Sequence, residues 1–247
     1  MASFRMTKQF VDNLLQSDSW QERLPELDDY APKKLVGTLF SLLLSPAPEV
    51  PWRAVTAFGK VVDRMARENF EDARIVMRQL IWRMNEESGN IGWGIGETWG
   101  EIMAVNERLA NEYHTILLSY VQEYEGICHG NFLDHPPLRW GVLWGLGRLA
   151  QERPELLEKG LADLEEILNP AKAMEGKEGT YEGLECHDAQ ARGLACWALG
   201  NIGAARSMEP LSRLLDDQTP VSLFRNNRLE STTVSALARE AVERIES

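Results

Sequence analysis

The sequence predicts an all-α fold, a solenoid of stacked helical hairpins. Three observations carry that expectation. An eight-residue pattern returns four times, at 52–59, 93–100, 140–147 and 193–200. Each copy is an apolar helical stretch with small residues inside it, ending on a bulky apolar residue and a glycine. The closing glycines, Gly59, Gly100, Gly147 and Gly200, stand 41, 47 and 53 residues apart, near or above the period of about 40 residues that two helices and two turns require. No stretch rich in Val, Ile and Thr alternates with period two, so strands are not expected.

Phe4 to Leu15 reads as an amphipathic first helix with Phe4, Phe10, Val11, Leu14 and Leu15 on one side. Ser19 to Leu27 adds a short helical turn, and Lys33 to Leu44 a second apolar helix. The run Ser45-Pro46-Ala47-Pro48-Glu49-Val50-Pro51 stops it, because proline cannot continue the backbone ladder. From there helices come in pairs, an A and a B member. The A helices are placed at 52–67, 92–105, 138–151 and 188–203, and the B helices at 70–87, 107–125, 154–168 and 207–216. A last helix, Ser231 to Glu246, fits the A pattern weakly. Asp188 and Ser231 are set to cap helices, and Pro154 suits a first helical turn.

The motif has a physical reason. Ala54, Gly94, Gly141 and Ala195 are small enough to let neighbouring helices approach. The closing glycine costs about 1 kcal/mol of helix propensity relative to alanine, tolerable where it admits a partner backbone or opens a turn. Trp52, Trp93 and Trp140 share one position in the pattern. They are expected to form a buried ladder between repeats, with an exposed recognition strip as the alternative.

The stretch Asp188-Ala189-Gln190-Ala191-Arg192-Gly193-Leu194-Ala195-Cys196-Trp197-Ala198-Leu199-Gly200-Asn201-Ile202-Gly203 resembles the HEAT-repeat superfamily, in particular the short HEAT-like repeats of the phycobilisome lyases. Met208 to Asp217 looks like the second helix of such a repeat, Pro137 to Leu149 is a fair second match, and the two earlier copies are degenerate and Trp-rich. The resemblance covers roughly 50–247. It implies a right-handed stack of four to five HEAT-like hairpins (residues 51–247), with the B helices lining the concave side, preceded by an N-terminal helical cap (residues 1–50). It says little about function, which is grafted onto such scaffolds case by case. Di-iron hydroxylases of this superfamily use His-Glu dipeptides, and here the histidines are followed by Thr115, Gly130, Pro136 and Asp188. Bilin lyases are another branch, and Cys, His and Trp are compatible with a tetrapyrrole without singling one out.

Composition narrows the partners. The net charge of −12 over 247 residues opposes binding to nucleic acid, which rests on neutralising phosphates, and to anionic lipid. The longest apolar run, Leu39 to Leu44, is far too short to span a bilayer. Three cysteines form no disulfide framework and suit a reducing cytoplasm. Gly92-Trp93-Gly94-Ile95-Gly96 and Gly145-Leu146-Gly147 follow no strand, so they read as close helix packing rather than a dinucleotide turn.

Reactive residues gather in the long B-to-A connections, Gly126 to Pro136, Asn169 to His187 and Asp217 to Glu230. In a stack of like-handed hairpins these share one edge, and insertions on one edge often mark a binding face. Cys128 with His129, and Cys186 with His187, recur in similar settings and pair thiolate with imidazole, as Zn²⁺ prefers. Neither segment has C-x₂-C or H-x₃-H spacing. Cys186, His187 and Asp188 have the residue types of an activated thiolate, but triads are assembled in space rather than in sequence. His135, Tyr181, and the basic-polar tract Phe224-Arg225-Asn226-Asn227-Arg228 complete the candidates; the tract is suited to an anion or simply to solvent. The expected function is a non-catalytic, cytoplasmic protein-interaction scaffold or adaptor without a cofactor, binding another protein through the loop edge and concave face. The alternative is a metal- or cofactor-binding, lyase- or chaperone-like protein using the Cys/His loops.

Overall fold

A computed structural model describes residues 4–86, 91–122, 133, 135–169 and 188–247. Among them are twelve α-helices, short 3-10 turns and one two-stranded hairpin. The fold is an all-α solenoid of helical repeats. The chain forms two compact units, Met1–Tyr113 and His114–Ser247.

In the first unit, α1 (Phe4–Gln16), α2 (Trp20–Arg23), a 3-10 turn at Leu24–Asp29 and α3 (Pro32–Leu42) precede two long helices, α4 (Val50–Glu68) and α5 (Phe70–Met84). Then come α6 (Ile95–Val105) and α7 (Glu107–Ser119), within which the unit boundary falls. Pro51 sits in the first turn of α4, where its missing N–H costs nothing. Asn69 caps α5 by accepting the Glu71 amide at 3.2 Å. Val11, Leu14 and Leu15 of α1 are fully buried. Arg53 of α4 ties the end of α1 down by donating to the Leu15 and Ser17 carbonyls. Phe4, expected on the buried side, is 60% exposed. It starts the helix and lies over Gly37 of α3 without being enclosed.

In the first unit α4 and α6 run side by side and parallel: Glu101 covers Gly59, and Asn106 donates to Asp63 at 2.9 Å. In the second unit α8 (Pro136–Ala150), α10 (Ala189–Ile202) and α12 (Val234–Glu246) repeat that arrangement. Trp197 lies over Gly147, and a Cβ on Gly200 would sit 2.7 Å from the Ala241 Cα. The closing glycine therefore admits the next repeat, as its position in the motif suggests. The return helices are short: a 3-10 turn at Pro154–Gly160 leads into α9 (Leu161–Ile167), and another at Ala205–Ser207 into α11 (Met208–Ser212).

Three expectations are corrected. The segment read as a 217–230 loop is mostly a β-hairpin, β1 (Pro220–Arg225) and β2 (Arg228–Thr233). Asn226 and Asn227, at φ 52° and 62°, make the two-residue left-handed turn that asparagine tolerates. Because β2 continues to Thr233, the cap of α12 is Thr233, accepting from Ala236 N, and not Ser231. Nor is the first tryptophan position a buried ladder. Trp93 is 41% exposed and Trp52 and Trp140 are half-buried, whereas Trp99, Trp144 and Trp197 are buried.

Candidate functional site

Cys128, His129, Tyr181, Cys186 and His187 lie outside the described residues. His135 is exposed and precedes α8 as its N-cap residue, its carbonyl accepting from Leu138 and Arg139. Phe224 is buried in β1. Its carbonyl accepts the Trp144 indole N–H at 2.7 Å, and the two rings lie 6.3 Å apart. Arg225 donates to Glu230 and forks onto Glu240, Nη2 to Oε1 at 3.0 Å. Two carboxylates hold its guanidinium, so Arg225 is not the open anion site the basic tract suggested. Phe224 and Arg225 belong to the framework of the second unit.

Asp188 has a structural task too. Its Oδ1 accepts the Ala191 amide at 2.9 Å, capping α10 as expected. Trp140 Nε1 donates to the same carboxylate at 2.8 and 2.9 Å, and Arg139 approaches at 3.5 Å. The carboxylate that a thiolate-imidazole pair would use is thereby engaged in joining α8 to α10. Cys196 is fully buried, and burial pushes its thiol up to about 12. It stays protonated at neutral pH and is no nucleophile.

The first unit presents a different surface. On α5, Ala73, Val76, Met77 and Leu80 face the core. Ile75 (43% exposed) and Trp82 (69%) lie two turns apart on the opposite side. Trp82 is the most exposed large apolar side chain among the described residues. Ion pairs lie on and beside this helix face. Arg74 donates to both Glu112 oxygens, and Arg78 reaches Glu71 at 2.6 Å. The Phe70 ring lies between the guanidinium groups of Arg74 (4.7 Å) and Arg108 (3.8 Å). Hydrogen bonding to Arg74 holds the Glu112 carboxyl below its usual range, and bonding to Arg78 does the same for Glu71.

Beside the last turn of α5 is a shallow cleft lined by Phe40, Leu43, Leu44, Arg83, Trp93 and their neighbours. Arg83 stacks on Phe40 at 4.3 Å. Gly94, between the lining residues Trp93 and Ile95, has a φ of +73°, which favours glycine, and a Cβ there would meet Leu43 Cδ2 at 3.1 Å. Leu44, Ile91 and Trp93 are all exposed at its rim. Trp82 is not among the residues that the repeat and the loop motifs single out. Its helical phase, opposite the Ala73–Met77–Leu80 stripe, was the available signal.

No family model matches the chain, and no curated protein matches it. Solved structures resemble it in fold. One engineered protein from the Northeast Structural Genomics Consortium aligns over 100% of this chain and 99% of its own, at 14% identity and TM-score 0.50. A second aligns over 98% of this chain at 15% identity and TM-score 0.49, and the alignment spans only 58% of that protein. A designed armadillo repeat protein in complex with a (KR)4 peptide aligns over 97% of this chain and 99% of its own, at 15% identity and TM-score 0.46. At these identities the likeness is one of fold.

Proposed function

We propose that this chain is a non-catalytic protein-interaction scaffold or adaptor, with HEAT-like repeats over 51–247 capped by residues 1–50, and that it acts in the cytoplasm. The observation that carries the reading is Trp82, displayed with Ile75 on a face of α5 that also carries the Arg74–Glu112 and Arg78–Glu71 pairs. Exposed tryptophan flanked by arginine is the composition of an interaction hot spot. Apolar side chains exposed together on one face mark interaction sites, and Ile75 and Trp82 share the outer face of α5. The acidic chain suits a neutral or basic protein partner.

The test compares wild type with Trp82→Ala and Ile75→Ser in partner capture from the native cell extract, followed by hydrogen-exchange footprinting of the purified complex. The expected result is one partner that protects 71–86 and whose affinity falls about tenfold or more in Trp82→Ala, with the variant's melting temperature unchanged. A partner retained in full by both variants, with no protection on α5, would sink the assignment of this face.

A further inference from the structure

The hairpin of the second unit has one edge closed and one edge open. Residues pair from Arg225↔Arg228 through Pro220↔Thr233 without a bulge. Across a two-residue turn the flanking pair, Arg225 and Arg228, exchanges ladder bonds, so alternate residues direct their N–H and C=O away from the partner strand. On β1 these are Ser222 and Phe224, and helix side chains satisfy them. The Gln190 amide bonds Ser222 at both positions, accepting from N at 2.9 Å and donating to O at 2.7 Å, and Trp144 donates to the Phe224 carbonyl. On β2 the corresponding residues are Leu229 and Ser231. Both are exposed, and among the described residues nothing bonds their outward backbone groups.

Edges are blunted by charged side chains, proline, a bulge or short length. The sequence Arg228-Leu229-Glu230-Ser231-Thr232 has no proline and pairs without a bulge, its two charges are of opposite sign, and Leu229 is 47% exposed. It is also self-complementary. If two β2 strands meet antiparallel with Leu229 on the two-fold axis, the Leu229 residues exchange both backbone bonds and their side chains touch. Arg228 of each copy then stands opposite Glu230 of the other. The Arg228 side chain is 73% exposed and makes one long ion pair, 3.9 Å, with its own Glu230, whose other oxygen accepts from Arg225.

We infer that β2 pairs with β2 of a second copy of this chain, joining two hairpins into a four-stranded antiparallel sheet. This rests on the second unit alone and is independent of the α5 surface. Sedimentation of the full chain from about 5 µM to about 500 µM is expected to show the mass rising from that of one 28.0 kDa chain toward twice that value. Over the same range the Leu229 amide gains exchange protection, while the Glu230 amide, which faces β1, is protected throughout. Leu229→Pro removes only an outward N–H and should raise the dimer dissociation constant about tenfold or more. Leu229→Lys, which sets two cations face to face on the axis, should do the same should the proline disturb the hairpin. A mass of one chain at every concentration overturns the proposal, as does a dimer that survives both variants. A monomer whose Leu229 amide is protected only by a different protein also overturns the second copy, assigning the edge to a foreign strand.

Discussion

The ring of Trp197 occupies the space that a β-carbon on Gly147 would need, its Cε3 and Cζ3 atoms both well inside contact distance of that position. The two residues belong to successive copies of the motif, on α8 and α10, so the glycine sets how closely those helices approach. Gly147→Ala should destabilise the chain by about 1–3 kcal/mol in urea unfolding, because the gain in helix propensity is smaller than the cost of overpacking against an indole. Gly37, in the interior of α3, is the control. A Cβ there meets only the Phe4 ring edge at 3.6 Å, so Gly37→Ala should stabilise by about 0.5–1 kcal/mol. Equal effects at the two sites would show that Gly147 is not a packing glycine.

That relationship was half legible in the sequence. A glycine at fixed phase in four helices announced close approach, but its partner could not be read, because contacts between repeats depend on helix rotation. The same uncertainty misplaced the tryptophans. Trp52, Trp93 and Trp140 align in sequence, yet Trp52 lies in the first turn of α4, Trp93 before α6 begins and Trp140 in the second turn of α8, and none of the three is fully buried. Trp144 and Trp197, three residues before their glycines, point inward. The hairpin was missed because Ser222, Asn226, Asn227 and Arg228 dilute the β signal, and its stability comes from Gln190 and Trp144 on helices far away in sequence. Asp188 was read correctly as a cap because capping is local. Its bonds to Trp140 and Arg139 are 48 and 49 residues distant and left no trace in the pattern.

Those distant bonds make Asp188 costly to replace. Arg139 and Asp188 are both more than nine-tenths buried, and one carboxylate serves a helix N-terminus, an indole and a guanidinium. Asp188→Ala should cost about 3 kcal/mol or more, combining a lost cap with a buried cation deprived of its carboxylate. Asp188→Asn keeps an oxygen for the cap and for Trp140 and should lose about half as much. Chemical denaturation of both variants gives the ranking. An alanine variant as stable as the asparagine one would mean that charge and cap contribute nothing there.

Glu97 on α6 supplies the pH dependence, with a sign opposite to that of paired carboxylates such as Glu112. Burial raises its carboxyl from 4.5 to about 7, and its own backbone N–H offsets this only in part. The folded chain therefore holds a proton that the unfolded chain releases. Below about pH 4.5 both states are protonated and no penalty exists. The penalty grows as pH rises through the interval to about 7 and is constant above it, at about 2–3 kcal/mol. Glu97→Gln removes the ionisation while keeping the shape. Its urea midpoint should match wild type near pH 4.5 and exceed it by an amount worth about 2 kcal/mol at pH 8. An offset that does not change between those pH values would place the effect in packing, not in protonation. Folding keeps this carboxyl neutral at mildly acidic pH because its charged form, taken out of water, is penalised.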